Sequence, residues 1–163
     1  MIAFGIDPGS RRTGWGVVRA EGSALRCVGH GVIAAGADRP LGERLEVIFS
    51  GLVEALDTHR PDVIFLESIF HHKNAASALV LGQARGVALL AARMKSANLD
   101  EIAPTEVKKA VTGRGRADKT QVKEMVRILL GLPSPPATDA ADALAIAIAG
   151  AVRVRWQDRA GKP

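Results

Sequence analysis

The sequence contains one cysteine, no tyrosine and few aromatic residues of any kind. The single cysteine, Cys27, excludes an internal disulfide and a zinc site built on cysteines, and it suits a reducing compartment. Because aromatic residues make up only 4% of the chain, the core must consist of Ala, Val, Leu and Ile. Hydrophobic residues still reach 47%, so the composition is not that of a disordered chain.

Long hydrophobic runs are missing as well. Asp7 interrupts the first apolar segment too early for a signal peptide. The longest apolar stretch, residues 143–152, is shorter than the about 20 residues that a membrane-spanning helix needs. We therefore expect a soluble, intracellular protein that makes no membrane contact.

The length and charge of the chain set further limits. The 163 residues fit one domain, which we place at residues 1–156, with a polar tail at 157–163. Lys and Arg outnumber Asp and Glu by 22 to 17, giving a net charge of +5. A basic balance favours a polyanionic partner such as nucleic acid, although basic ribosomal and structural proteins share it.

The first sixteen residues, M-I-A-F-G-I-D-P-G-S-R-R-T-G-W-G, hold the most informative pattern in the chain. An apolar run predicts a buried strand that ends in the carboxylate of Asp7. Pro8, Gly9 and Ser10 then predict a turn, and two arginines follow it directly. A buried strand that ends in an acid, a glycine turn and basic residues indicates a site for a metal ion or a phosphate.

The spacing of apolar residues predicts an alternation of strands and helices. Arg60-Pro61 ends the first helix, and Asp118 with Gln121 forms a capping-box pattern before a later one. A crossover helix between the first and fourth strands makes these strands parallel neighbours. We expect strands at 2–7, 14–20, 25–35, 62–68 and 99–103, and helices at 41–59, 75–95, 104–111, 119–130 and 137–153.

Four acids are predicted to meet at one place. Asp7 and Glu67 each follow a buried strand, and sites in open α/β sheets form at the carboxyl ends of strands. Asp139 and Asp142 lie three residues apart, on one face of the last helix. Four carboxylates in one cleft need compensating charge, and their hard oxygens suit Mg²⁺ or Mn²⁺.

Each of these acids has a simpler interpretation on its own. Asp7 could cap a turn, Glu67 could pair with Arg11, and Asp139 could be an ordinary acid at a helix N-terminus. The four together are harder to explain in that way, because an apolar strand gains nothing by ending in an unpaired acid.

Four motifs resemble the RuvC family of bacterial crossover junction endodeoxyribonucleases, the Holliday junction resolvases. They are G-I-D-P-G-S-x-x-T-G-W-G, the strand ending in Glu67 with Phe70 after it, K-N-A-x-S-A-L-x-L-G-Q-A-R-G at 73–86, and D-A-A-D-A-L-A-I-A at 139–147. The resemblance runs in register through about residue 156. It implies an α/β, ribonuclease H-like fold, with a five-stranded mixed sheet flanked by helices.

The resemblance also implies a mechanism and partners. The four acids map onto the family's catalytic and metal-binding residues, with two Mg²⁺ ions per subunit expected and Mn²⁺ as a substitute. The family acts in the bacterial cytoplasm as a homodimer that nicks two opposing strands of a four-way junction symmetrically. It leaves 5′-phosphate and 3′-hydroxyl ends and works with the branch-migration helicase complex of RuvA and RuvB proteins. A two-fold junction is also best matched by a two-fold dimer.

Two glycines are candidates for the dimer contact that the resemblance places on the helix at 75–95. Gly82 and Gly86 lie one turn apart, so another backbone could approach closely there. From the spacing alone, close packing on the subunit's own sheet explains them equally well.

The remaining candidates concern DNA. Phe70, in a loop with Lys73, could stack on a base opened at the crossover. Lys108 and Lys119 match family lysines near the scissile phosphate and are candidate catalytic residues. Arg114 and Arg116, on a glycine loop, are expected to contact the DNA backbone rather than base edges.

Other function classes fit less well. An actin-like ATPase shares the first motif but needs a duplicated domain that 163 residues cannot hold. The stretch G-R-G-R-A-D-K-T, 113–120, fails as a nucleotide-binding loop because Asp118 stands where glycine is required. A junction-binding protein without catalysis should lack one of the four acids, and a basic structural module leaves the acids at the strand ends unexplained.

Overall fold

The structure is a computed structural model that describes residues 1–68, 75–95 and 98–161, with the backbone alone for 158–160. It contains one mixed sheet and five helices in these ranges. The strands are β1 Ile2–Asp7, β2 Arg12–Glu21, β3 Ala24–Ala34, β4 Val63–Glu67 and β5 Leu99–Ile102, and the helices are α1 Leu41–His59, α2 Ala75–Lys95, α3 Pro104–Thr112, α4 Lys119–Leu130 and α5 Thr138–Ala160.

The sheet order is β3-β2-β1-β4-β5. The first three strands form an antiparallel meander, with Gly22 in the left-handed conformation at the turn between β2 and β3. β4 and β5 then add to the other edge of β1 in parallel. Ile6 lies opposite Leu66, so Asp7 and Glu67 leave the sheet side by side. The predicted five-stranded mixed sheet and the parallel neighbours are therefore confirmed.

Helices cover both faces of the sheet. Alternate residues of the central strands point to opposite sides, so that Phe4 and Leu66 pack with α1 and α2, whereas Ala3 and Phe65 pack with α3, α4 and α5. All four side chains are essentially inaccessible to solvent. Burial on both faces explains why β1 and β4 are continuous apolar runs rather than alternating ones.

Glycines in the first motif let α5 lie directly on the sheet. A Cβ atom added to Gly5 would stand 2.1 Å from the backbone oxygen of Ala143, and one added to Gly14 would stand 1.9 Å from that of Asp139. A Cβ atom added to Gly16 would stand 2.7 Å from the Leu144 side chain. These distances are far below van der Waals contact, so side chains at these positions would force α5 away from the sheet. The first motif thus determines where α5, and the acids on it, can lie.

Most element boundaries agree with the predicted ones to within two residues, and the capping box of Asp118 and Gln121 is present. The end of α5 is the exception, because the helix continues to Ala160 rather than ending near Arg153. No glycine or proline lies between Arg153 and Gly161. Arg153 also fastens this part of the helix, with nitrogens 3.3 Å from carboxylate oxygens of both Asp100 and Glu106.

One face of α2 carries exposed apolar side chains. Leu79, Leu90 and Met94 are 66%, 55% and 64% exposed, whereas Ala84 and Ala88 on the opposite face are fully buried. By length and composition α2 is also the one helix in the described ranges that could cross a membrane. A single helix of this kind is weak support for a membrane protein, and the buried alanines show that α2 packs within the fold.

Candidate active site

The turn after β1 is closed by a buried threonine. The Thr13 hydroxyl donates a hydrogen bond to the Gly9 carbonyl oxygen at 2.9 Å, and it lies 3.3 Å from the Gly9 backbone nitrogen. Thr13 is fully buried, so this contact is protected from water. Asp7 therefore lies at the start of a turn whose backbone is held in place.

Two acids come from neighbouring strand ends and two from α5. Asp7 ends β1 and Glu67 ends the adjacent parallel strand, β4. Asp139 lies in the first turn of α5, and Asp142 follows one turn later. Because α5 lies against β1 and β2, its N-terminal turns come next to the end of β1, as predicted.

A cavity of about 280 Å³ lies at this edge of the sheet. Three of the predicted acids line it, and so do both candidate catalytic lysines. α3 supplies Lys108 and α4 supplies Lys119, so all three helices on this face contribute to its wall. The lining residues are Asp7, Glu67, Pro104, Val107, Lys108, Lys119, Val122, Asp142, Ala145 and Ile146.

Two cations hold the acids of α5. The Arg12 Nε atom is 2.6 Å from Oδ2 of Asp139, and Lys119 Nζ is 3.4 Å from Oδ2 of Asp142. The Lys119 side chain is 80% exposed, so its ion pair is open to solvent and weak. Asp139 does not line the cavity, in keeping with its pairing to an arginine outside it.

The four acids repel one another within a partly buried site. Burial, followed by repulsion from Asp142, Glu67 and Asp139, raises the pKa of Asp7 to about 7. Burial is also the largest cause of the raised pKa values of Glu67 and Asp142, and the Lys119 ammonium opposes both increases. The pKa of Lys119 is in turn raised, mainly by Asp142. The centre of the cluster therefore lacks positive charge.

The donor set suits a hard divalent cation. Its oxygens are all carboxylate oxygens, which Mg²⁺ and Mn²⁺ prefer, and the high pKa of Asp7 marks the place where positive charge would stabilise the cluster. Within the described ranges, however, no three acidic, imidazole or thiol side chains stand close enough to hold a metal ion in their present rotamers. The acids converge, but two of them are turned towards Arg12 and Lys119.

The other predicted DNA contacts have mixed outcomes. Arg114 and Arg116 are exposed beyond the end of α3, where Gly113 is left-handed and the Thr112 hydroxyl bridges the Lys108 and Arg114 carbonyl oxygens. They do not line the cavity, so their predicted role on the DNA backbone stays a prediction. Phe70 and Lys73 lie outside the described residues.

Open space surrounds the predicted dimer glycines. A Cβ atom added to Gly82 or Gly86 would meet nothing within 4 Å in the described structure. Close packing on the subunit's own sheet therefore does not explain these glycines. They lie on α2 together with the exposed Leu79 and Leu90.

Sequence reasoning missed two arginines at the site. Arg12 was recognised only as a cation near Asp7, and its pairing with Asp139 could not be foreseen across a separation of 127 positions. Arg85 lies inside the third motif, on α2, and donates to the backbone oxygen of Glu67. The sequence offered no signal for it, because the burial of Arg85 among alanines is visible only in the structure.

Comparisons with known proteins identify the family of the chain. Residues 3–150 match the family described as Crossover junction endodeoxyribonuclease RuvC. A protein of that name from Rubrobacter xylanophilus is 48% identical over 162 residues, covering 99% of this chain and 90% of the relative. One from Klebsiella pneumoniae is 51% identical over 147 residues, covering 90% and 84%.

A solved structure gives the same result. The Thermus thermophilus RuvC in complex with Holliday junction substrate superimposes with a TM-score of 0.90 at 34% identity, over 96% of both chains. The family match spans most of the chain, and the similarity to these relatives extends over nearly their whole length. The chain therefore belongs to the RuvC family of crossover junction endodeoxyribonucleases.

Proposed function

We propose that the chain resolves four-way DNA junctions as a homodimer, by metal-dependent nicking of two opposing strands. As a member of its family it is a nuclease. The observation that supports the metal-dependent step is that three carboxylates line one cavity with two lysines, while the fourth, Asp139, lies close enough to help raise the pKa of Asp7. Asp7, Glu67, Asp139 and Asp142 would hold two Mg²⁺ ions, with Mn²⁺ as a substitute.

The chemistry divides between the ions and the chain. Divalent ions bound here would supply activation of the attacking water and stabilisation of charge around the phosphorus. Lys119 and Lys108 line the cavity, where their ammonium groups can neutralise a phosphate and the charge that develops on it. The reaction leaves 5′-phosphate and 3′-hydroxyl ends.

Bound metal would also change the acids' partners. Asp139 is paired with Arg12, and Asp142 with Lys119. A metal ion that bound these two carboxylates would replace both cations. Both pairs are partly exposed and therefore weak, so they can be exchanged at low cost. Lys119 would then be released towards the scissile phosphate.

The exposed face of α2 supports the homodimer. Leu79, Leu90 and Met94 form an apolar surface, and Gly82 and Gly86 leave room for another backbone to approach. A contiguous apolar helix face of this kind is typical of a protein interface. A two-fold dimer would present one cavity to each of two opposing strands of a junction.

The dimer is tested by placing a charge on that face. Leu90→Asp is expected to convert a dimer into a monomer, measured by light scattering, and to replace paired symmetric nicks with slow single nicks. Ile128→Asp is the matched control, because Ile128 is 54% exposed on α4 and away from this face. A Leu90→Asp protein that remains a dimer and nicks both strands would contradict the proposed interface.

The substrate is tested with a mobile four-way junction and a linear duplex of the same sequence, in Mg²⁺, Mn²⁺ or EDTA. We expect paired nicks on the junction alone, with either metal and not with EDTA. Equal cutting of the linear duplex would contradict the proposed selectivity for junctions but would remain consistent with the proposed metal site. Tight junction binding without cleavage in either metal would leave only a binding protein.

Arg114, Arg116, Phe70 and Lys73 are proposed as DNA contacts, the first two with the phosphate backbone. We also propose a cytoplasmic location in a bacterium, and the branch-migration helicase complex as a partner. The support for the last two proposals is family membership.

A further inference from the structure

Arg85 reaches from α2 to the end of the strand that carries Glu67. Its Nη1 atom donates to the Glu67 carbonyl oxygen at 2.5 Å, and Nη2 lies 2.7 Å from Oε2 of Glu101 on β5. The Arg85 side chain is only 10% exposed. One buried guanidinium therefore spans the carboxyl ends of two neighbouring strands.

The next backbone contact completes the arrangement. The Ser68 backbone nitrogen donates to the Ile102 carbonyl oxygen at 2.8 Å. The Glu67 carbonyl and the Ser68 N–H belong to the same peptide unit, so Arg85 and β5 hold that unit from both ends. Fixing this peptide fixes the backbone on the carboxyl side of Glu67, and with it the direction in which the Glu67 side chain leaves the strand.

We propose that Arg85 is a positioning residue for the metal centre, which holds the Glu67 carboxylate at the cavity through the backbone of Glu67. This inference rests on the proposed function, because it assumes that Glu67 binds metal. Beyond the end of β4 at Glu67, the sheet holds this peptide unit at its N–H, through the Ile102 carbonyl oxygen, and the Glu67 carbonyl oxygen needs a second restraint. Arg85 supplies that restraint from a helix.

The planar guanidinium explains why arginine stands here. Its donors diverge in a fixed fork, so a single side chain serves the Glu67 carbonyl and the Glu101 carboxylate at once. A lysine ammonium can reach the carbonyl but does not present that fork. The Glu67 contact and the Glu101 contact can therefore be separated by substitution.

The test measures Mn²⁺ binding to the DNA-free protein by calorimetry, together with junction nicking and chemical unfolding. Arg85→Met keeps the apolar stem and removes every donor, and Arg85→Gln keeps a polar group that is too short to span both acceptors. We expect Mn²⁺ affinity and nicking to fall about tenfold or more in both, as for other residues that orient metal ligands. Arg85→Lys is expected to restore both to within about threefold.

Two further variants separate positioning from general stabilisation. Glu101→Gln removes the second partner of Arg85 but leaves the Glu67 carbonyl contact, and Lys95→Gln removes a 2.8 Å ion pair between α2 and Asp57 on α1. Both are expected to bind Mn²⁺ like the wild type even where unfolding becomes easier.

Wild-type Mn²⁺ affinity in a folded Arg85→Met or Arg85→Gln protein would overturn the proposal, and so would a loss that Arg85→Lys fails to restore. A wild type that binds no Mn²⁺ would instead contradict the metal centre itself. A wild type that binds Mn²⁺ without cutting a junction would contradict the proposed activity. The role of Arg85 would then be decided by the Mn²⁺ affinities of its variants.

Discussion

The Arg12 Nε atom lies 2.6 Å from Oδ2 of Asp139, joining the start of β2 to the first turn of α5. This ion pair connects the turn after Asp7 to α5, the helix that carries Asp139 and Asp142. Its side chains are 57% and 30% exposed, so its net contribution to stability is at most about 1 kcal/mol. The same arginine nevertheless competes with a metal ion for Asp139.

Arg12→Gln should therefore tighten metal binding. Removing a competitor worth up to about 1 kcal/mol is expected to lower the Mn²⁺ concentration for half-maximal nicking by about two- to fivefold. The measurement is a metal titration of single-turnover nicking, with Arg19→Gln as a control because Arg19 pairs at 4.0 Å with the exposed Glu21, near the opposite end of β2. Weaker metal binding by Arg12→Gln would show that Arg12 supports the site rather than competing in it.

Gly14→Ala should separate α5 from the sheet. Its new methyl group would stand 1.9 Å from the Asp139 backbone oxygen, so we expect a loss of about 2–3 kcal/mol in the free energy of unfolding and a large loss of nicking. Gly42→Ala is the control, because Gly42 lies in α1 with nothing within 4 Å of the added carbon. That change should stabilise the protein by up to about 1 kcal/mol. Equal behaviour of the two variants would show that α5 can shift freely.

These two sites show what the sequence could and could not predict. The strand ends carrying Asp7 and Glu67 were predictable, because apolar runs and a crossover helix determine their order and direction. The ion pairs of Asp139 and Asp142 were not, because a surface cation finds its partner only after distant elements have packed. Likewise, Gly14 was recognised as part of a motif, but its close contact with the backbone of α5 was not predicted.

The end of α5 and the role of Arg85 illustrate a second limit. The helix was predicted to end near Arg153, before a polar tail, whereas α5 continues to Ala160. The Arg153 contacts to Asp100 and Glu106 hold this part of the helix against the rest of the fold. Arg85 sits in a helix whose exposed and buried faces are both rich in small and apolar residues, so the spacing did not reveal which way its guanidinium points. Tertiary packing settles both questions.

The raised pKa of Asp7 predicts how stability depends on pH. In the metal-free protein the folded state keeps the Asp7 proton up to about pH 7, whereas the unfolded chain loses it near pH 3.8. Between these values the folded state binds more protons, so the free energy of unfolding falls as pH rises. Asp7→Asn should therefore be more stable than the wild type at pH 8, by a difference on the order of 4 kcal/mol, and similar to it at pH 4.

Urea unfolding in EDTA at both pH values measures this difference. Adding Mg²⁺ at pH 8 should stabilise the wild type and leave Asp7→Asn nearly unchanged, because bound metal relieves the repulsion. Equal stability of the two proteins at pH 8 in EDTA would contradict the crowding of the four carboxylates.

Lys119→Gln tests the role of the cavity lysine. We expect junction nicking to fall by about 10- to 100-fold, because the variant lacks a charge beside the phosphate as it reacts. Junction affinity should change little, with the salt dependence reduced by about one counterion. Lys109→Gln is the control, since Lys109 is exposed on α3 and does not line the cavity. Similar losses in both variants would indicate general charge attraction instead.

We propose that the four acids form a metal centre for cleavage and not a surface for holding DNA. Asp7→Asn on a mobile four-way junction tests it most directly, because this change keeps the shape of the central side chain and removes its charge. We expect nicking in Mg²⁺ to fall below detection while junction affinity in a gel shift stays within about threefold of the wild type, since phosphate contacts dominate binding. Nicking by Asp7→Asn at the wild-type rate would contradict the claim.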